Sequence, residues 1–181
     1  MSAVLLGIGI ASLITIAVGL WRYFALRGER LVLCPETLQP VAVSLDAAHA
    51  AKLPDADLRL GNCSRWPEKK DCDQACLAQI EAEPKATLVW NIIASWYRDQ
   101  LCIYCKRPFG EIAWHDSMPA LRSRQGDLRS WNDIPGEDVP HILATHEPVC
   151  WSCEIGESFR RERPDLVIDR EDTPLRDRAF H

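Results

Sequence analysis

Hydrophobic positions are densest at the start of the chain, where residues 1–21 carry no charged side chain. As a helix, the apolar run from Ala3 to Trp21 is long enough to cross roughly 30 Å of hydrocarbon. Trp21 and Tyr23 fall where an interfacial aromatic belt is expected, and arginine residues follow the run while no basic side chain precedes it. The pattern therefore predicts a transmembrane helix over residues 1–25, with the N-terminus outside and the remaining chain in the cytoplasm.

After residue 25 the pattern changes to short alternating runs. Val41, Val43 and Leu45 share one face of an extended chain, and similar runs predict strands over residues 31–34, 40–45 and 57–60. A capping box that begins at Asp71 predicts a helix to about residue 83, and an apolar stripe predicts a second helix over residues 86–100. The expected fold class is α+β: a transmembrane helix, then a small, loop-rich, metal-stabilised domain with short antiparallel strands and a few helices.

Changes in composition divide the chain into four parts. The predicted anchor over residues 1–25 is followed by a small α+β region over residues 26–100 and by a loop-rich region over residues 101–169. Residues 170–181 are mostly charged residues or proline, and we expect them to form a flexible tail.

Charge and motif content argue against several classes of function. The net charge is −5, and the sequence has no long basic patch of the kind that nucleic-acid-binding proteins usually show. It contains neither GxxxxGK[ST] nor GxGxxG, so we expect no nucleotide binding. No arrangement of nucleophile and general base is recognisable, and we therefore expect a non-catalytic protein.

Eight cysteines supply the candidate chemistry. Four of them form two CxxC pairs, Cys102 with Cys105 and Cys150 with Cys153. A CxxC turn can direct both sulfur atoms to one side of the chain, and two such turns supply the four ligands of a tetrahedral zinc ion. Because protein thiolates would fill every coordination position, such an ion is structural rather than catalytic. We call these four cysteines site 1 and expect them to bind zinc, with iron as the alternative metal.

The segments Cys102-Ile-Tyr-Cys105-Lys-Arg-Pro-Phe-Gly110 and Cys150-Trp-Ser-Cys153-Glu-Ile-Gly156 resemble the paired knuckles of zinc ribbons and rubredoxin-like domains. The resemblance covers residues 102–156. Lys106 and Glu154 stand where such knuckles usually carry glycine, and the spacer between the pairs exceeds the common length of about 15–20 residues. The resemblance implies a zinc-ribbon-like module or, in its rubredoxin-like form, an iron centre.

The remaining cysteines, Cys34, Cys63, Cys72 and Cys76, form a second candidate set, which we call site 2. Cys72 and Cys76 are four residues apart, so they share one face of the predicted helix. Three interpretations stay open for this set: a second metal site, buried free thiols, and disulfides. Since disulfides are reduced in the cytoplasm, the predicted topology favours metal-bound or free thiols.

Together these features predict a single-pass membrane protein whose cytoplasmic domain is held by one or two four-cysteine zinc sites. Its expected role is to bind or assemble a partner, another membrane protein or complex, at the cytoplasmic membrane face. The alternative is a rubredoxin-like iron electron carrier attached to the membrane. A cleaved signal peptide with an extracellular, disulfide-bonded domain is less favoured, because Met1-Ser2-Ala3 lacks the basic side chain of a signal peptide.

Overall fold

The structure is a computed structural model that describes residues 2–52, 57–69 and 71–166. The side chains of residues 2–6, 8 and 11 are outside this description. The predicted tail over residues 170–181 and the end of the predicted region 101–169 also lie outside the described residues. The predicted division of the chain at residue 100 stays a prediction.

The described chain is α+β with short antiparallel strands, as predicted. Its helices are α1 (Ser2–Leu26), α2 (Ala47–Lys52), α3 (Leu77–Ala82), α4 (Val89–Arg98), α5 (Val139–Thr145) and α6 (Trp151–Glu162). Its strands are β1 (Glu29–Leu33), β2 (Pro40–Leu45), β3 (Leu60–Cys63), β4 (Ala120–Arg122), β5 (Leu128–Arg129) and β6 (Glu147–Val149). The strands form two antiparallel sheets, with the orders β1-β2-β3 and β5-β4-β6.

The first sheet forms because alternating residues of β2 face a common core. Val41, Val43 and Leu45 are buried, as their alternation predicts. The buried residues of this core are Val32, Val41, Val43, Leu45, Leu60, Cys63, Cys76 and Ile80. The strands predicted over residues 31–34 and 40–45 are confirmed as β1 and β2. The third strand was predicted over residues 57–60, but β3 begins only at Leu60.

The helix predicted from Asp71 is much shorter in the structure. Gln74 takes a φ of 57°, a left-handed conformation that interrupts a right-handed helix, and α3 begins only at Leu77. The prediction that Cys72 and Cys76 share one helix face is therefore wrong. The second predicted helix, over residues 86–100, is confirmed as the shorter α4.

A second core lies between α4, α5 and the second sheet. Its buried residues are Val89, Ile93, Tyr97, Leu121, Trp131, Val139 and Ile142. The Tyr97 hydroxyl donates to the carbonyl oxygen of Ala120 at 2.9 Å and accepts the indole N–H of Trp131 at 3.0 Å. These two bonds attach α4 to β4 and to the 3-10 turn that begins at Trp131.

Arg30 of β1 connects the first sheet to the helices on either side of it. Its side chain is fully buried and donates to Thr87 Oγ1 at 3.2 Å, to the carbonyl oxygen of Ala25 at 3.3 Å and to that of Pro84. Next to it, the backbone N–H of Leu31 donates to the Thr87 carbonyl oxygen at 2.8 Å. The end of α1 and the segment before α4 are thereby tied to β1.

The predicted transmembrane anchor over residues 1–25 is wrong. Within the described part of the chain, no helix has both the length and the apolar character that crossing a membrane requires. α1 packs against α2: a Cβ atom on Gly19 would lie 3.1 Å from the Ala51 carbonyl oxygen, and the cationic Arg22 and Lys52 border the same contact. The expected single-pass membrane localisation, with an outside N-terminus and a cytoplasmic domain, is overturned with the anchor.

Candidate metal centre

Cys102 and Cys105 lie on a tight turn that we call the knuckle turn. It closes through two backbone hydrogen bonds, in which Cys102 N–H donates to the Arg107 carbonyl oxygen at 3.0 Å and Lys106 N–H donates to the Cys102 carbonyl oxygen at 2.9 Å. Lys106 takes a φ of 57°, the left-handed conformation for which glycine is usual. The chain thus keeps the left-handed conformation at the position where the zinc-ribbon pattern has glycine and this sequence has lysine.

The second CxxC pair lies where β6 ends and α6 begins. The N–H of Ile103 in the knuckle turn donates to the Pro148 carbonyl oxygen at 3.0 Å, which places this turn beside β6. Cys150 follows β6, and the N–H groups of Cys153 and Glu154 donate to its carbonyl oxygen at 3.0 and 2.9 Å. The second pair therefore forms the first turn of a helix, whereas the first pair occupies a tight turn.

The four sulfur atoms of site 1 converge. The Sγ atoms of Cys102, Cys105, Cys150 and Cys153 all lie within 4.8 Å of one another. Those of Cys105 and Cys150 are 3.7 Å apart, close to the separation of about 3.8 Å that follows from Zn–S bonds of about 2.3 Å in a tetrahedron. This clustering is consistent with a zinc-ribbon-like pairing of the two CxxC elements.

Backbone N–H groups surround the buried sulfur atom of Cys102. The N–H of Cys150 donates to it at 3.3 Å, and those of Cys105 and Tyr104 add two further donors. Burial opposes ionisation of this thiol, but the donors outweigh burial and hold the pKa of Cys102 at about 6. Burial and the neighbouring sulfur atoms raise the pKa of Cys153 to about 12. A cation bound among these sulfur atoms would displace the remaining thiol protons.

The four cysteines of site 2 surround one small cavity of about 30 Å³. All of them are free thiols, as are those of site 1; Cys63 and Cys76 are buried, and Cys34 and Cys72 are half-buried. No three of their sulfur atoms lie within 4.8 Å of one another, in contrast to site 1. Burial, reinforced by the neighbouring Cys63 and Cys72, raises the pKa of Cys76 to about 11. The four cysteines of site 2 therefore line one cavity, but their sulfur atoms lie farther apart than those of site 1.

A cation beside site 2 is a feature that spacing in the sequence could not reveal. Arg65 Nη1 lies 2.9 Å from Cys34 Sγ and 3.2 Å from a carboxylate oxygen of Glu36. Arg65 and Cys34 are 31 residues apart in the chain, and they meet because Arg65 follows β3 while Cys34 follows β1 of the same sheet. The contact places positive charge next to a sulfur atom.

The donor set of site 1 consists of thiols alone. Among the described residues, no histidine or carboxylate joins the cluster, and no second group of three or more such side chains has its ligand atoms as close together. Four thiolates are a donor set that suits zinc or iron.

No protein-family model matches this chain, and comparison with curated proteins and with solved structures gives no match.

Proposed function

We propose that site 1 binds a zinc ion and that this ion holds the C-terminal part of the protein together. The observation that carries the proposal is the convergence of four sulfur atoms from two segments that are far apart in the sequence. Thiolates are soft ligands, which favours zinc over magnesium or calcium. Protein ligands would occupy all four coordination positions and leave none for water or substrate, so the proposed role of the ion is structural.

The need for such an ion is clearest at α6. None of the residues of this 12-residue helix is buried, so hydrophobic packing contributes little to its position. Metal bonds at Cys150 and Cys153 would fix the first turn of α6 to the knuckle turn at Cys102 and Cys105. Zinc binding and folding of this part of the chain are therefore coupled in the proposal.

Metal analysis of the purified full-length protein tests the proposal. We expect at least about one zinc ion per chain, and we expect a chelator that removes it to lower the thermal unfolding midpoint. The control Ser152→Ala changes an exposed residue between the ligands and should leave the zinc content unchanged. Less than one zinc ion per chain would contradict the proposal. Visible absorption after iron-replete expression would instead support the rubredoxin-like electron carrier.

We further propose that the zinc-stabilised part binds a partner protein through α6. Trp151, Ile155 and Phe159 follow one another at a spacing of one helical turn and are 44%, 48% and 48% exposed. At about 3.6 residues per turn, this apolar stripe lies on the side of α6 opposite to Cys153. An exposed stripe of this kind is typical of a protein contact surface. The other faces of α6 carry both acidic and basic residues, whereas helices that lie on membranes are rich in lysine and arginine.

Position-dependent cross-linking tests this contact. A photoreactive amino acid placed at Ile155 in the full chain is expected to cross-link to one partner protein, while the same group at Arg160, on the opposite face, is not. Ile155→Asp should abolish the cross-linked complex formed from position 159 without changing the zinc content. Equal cross-linking from Ile155 and Arg160 would contradict a specific docking surface.

A further inference from the structure

The turn that contains Cys34 repeats the backbone geometry of the knuckle turn. Cys34 N–H donates to the Gln39 carbonyl oxygen at 2.9 Å, and Leu38 N–H donates to the Cys34 carbonyl oxygen at 2.8 Å. The two bonds connect Cys34 to the residues five and four positions after it, and the two bonds of the knuckle turn connect Cys102 to the residues at the same spacing. Leu38 has a φ of 55°, and Lys106 of the knuckle turn, also four residues after its cysteine, has a φ of 57°. A second knuckle turn, with Thr37 in the place of the second cysteine, is thus present in the first sheet.

This geometry directs backbone donors at the sulfur atom of Cys34. The N–H groups of Glu36 and Thr37 donate to Cys34 Sγ, just as those of Tyr104 and Cys105 donate to Cys102 Sγ. Donors in these positions stabilise a thiolate, the form of cysteine that binds metal. The turn therefore prepares Cys34 in the same way as the knuckle turn prepares Cys102.

An unusual backbone conformation also occurs in the segment that carries Cys72 and Cys76. Among the described residues, the non-glycine residues with positive φ are Leu38, Gln74 and Lys106. Leu38 and Lys106 belong to the two knuckle turns, and Gln74 lies between Cys72 and Cys76. Residues in this conformation are uncommon and persist where the surrounding structure imposes them. In this chain they occur where cysteines are brought to a common point.

The four cysteines line a cavity that is large enough for one ion. The cavity of about 30 Å³ is lined by all four of them, and this volume is of the size of one water molecule. Cys34 directly follows β1, and Cys63 is the last residue of β3 in the same sheet. Cys72 lies in residues 71–74, which have no regular secondary structure. Movement of this segment, together with rotation of the other three cysteine side chains, would bring the four sulfur atoms closer to one another.

A cationic side chain of the cavity lining contacts one of the four sulfur atoms. A divalent ion with four thiolates carries a net charge of about −2. Arg65 Nη1 already lies 2.9 Å from Cys34 Sγ, and Lys69 lines the same cavity while bonding Glu36 at 2.6 Å. Glu36 and Asp73 also line the cavity, so two cationic side chains stand beside two acidic ones, and Arg65 is the cation in contact with a sulfur atom.

We infer that Cys34, Cys63, Cys72 and Cys76 form a second binding site for a thiophilic divalent ion, with zinc as the expected metal. Each thiol that binds loses its proton to solvent, and residues 71–74 and the four cysteine side chains move towards one another as the site closes. This site lies beside the first sheet and shares no ligand with site 1, so the inference goes beyond the proposed function and does not require it.

Cobalt substitution separates the two sites. Full-length protein, freed of metal under reducing conditions and titrated with Co²⁺, is expected to bind about two ions per chain with thiolate-to-cobalt absorption. Cys72→Ser at site 2 and Cys105→Ser at site 1 should each reduce this to about one, and the double variant should bind none. Wild type at about one ion, unchanged by Cys72→Ser and abolished by Cys105→Ser, would overturn the second site alone. Wild type at about one ion, unchanged by Cys105→Ser and abolished by Cys72→Ser, would overturn site 1 and support the second site.

Alkylation of the wild-type protein provides a test that needs no substitution. With zinc bound, mass spectrometry should show the peptides that contain Cys34, Cys63, Cys72 and Cys76 protected from a thiol reagent, and chelation should make them reactive. Equal labelling of these four cysteines with and without zinc would overturn the inference. Recovery of these peptides as disulfides from the freshly purified protein would also overturn it.

Discussion

Replacing Cys102 by serine is expected to abolish metal binding at site 1 and to unfold the part of the chain that this site holds. Cys102 is 0% exposed, and it accepts backbone hydrogen bonds from both CxxC segments, including one from Cys150 at 3.3 Å. Structural zinc contributes an apparent binding free energy of about 10–16 kcal/mol, which is comparable with the whole stability of a typical domain, about 5–15 kcal/mol. Loss of one of four ligands should therefore lower the free energy of unfolding by several kcal/mol.

Thermal unfolding with and without a chelator measures this effect. The wild-type protein should lose stability when chelated, whereas Cys102→Ser should unfold at nearly the same temperature in both conditions because its metal is already lost. Metal-free wild type and Cys102→Ser should differ by only about 1–2 kcal/mol, the local cost of the altered hydrogen bonds. Ser152→Ala should behave as wild type. An unchanged midpoint for Cys102→Ser would show that site 1 is not structural.

Replacing Tyr97 by phenylalanine is expected to destabilise the second core by about 2–4 kcal/mol, although the ring remains. The hydroxyl is the shared partner of two buried groups, since it donates to the Ala120 carbonyl oxygen and accepts the Trp131 indole N–H. Each buried polar group left without a partner costs about 1–3 kcal/mol. The substitution keeps the ring contact with Phe109, whose centroid lies 4.6 Å away, so the change isolates the two hydrogen bonds.

Denaturant unfolding of Tyr97→Phe beside Tyr104→Phe tests this expectation. Tyr104 is 36% exposed, and loss of its hydroxyl should change stability by no more than about 0.5 kcal/mol. Metal content should be the same in both variants, which separates the second core from site 1. If Tyr97→Phe is as stable as Tyr104→Phe, the hydroxyl does not join α4 to β4 as we describe.

Local pattern predicted the parts of this fold that depend on neighbouring residues. The alternation of Val41, Val43 and Leu45 correctly placed β2, because one face of that strand is buried in a single core. The apolar stripe of residues 86–100 correctly placed α4 for the same reason. The residue pattern around Asp71 failed, since Gln74 adopts a left-handed conformation in the irregular segment between two cysteines that line the site 2 cavity.

The apolar N-terminal run is the clearest case in which pattern misled. Its composition alone predicted a membrane crossing, but the described part of the chain contains no helix suited to one. The structure places Gly19 against the backbone of Ala51 in α2, a contact between elements that hydrophobicity along the sequence does not encode. The cytoplasmic location from which reduced thiols were expected is overturned with the anchor, and in the structure none of the eight cysteines forms a disulfide.

The sequence by itself determined the ligand chemistry of site 1, because two thiols in a CxxC turn are held together by the few bonds between them. Only the tertiary structure decided that the two pairs meet with all four sulfur atoms within 4.8 Å. It also decided that the site 2 cysteines share one cavity at wider separation. Spacing controls distances within a turn, whereas distances between remote turns depend on how the sheets and helices pack, and that packing is a property of the whole chain.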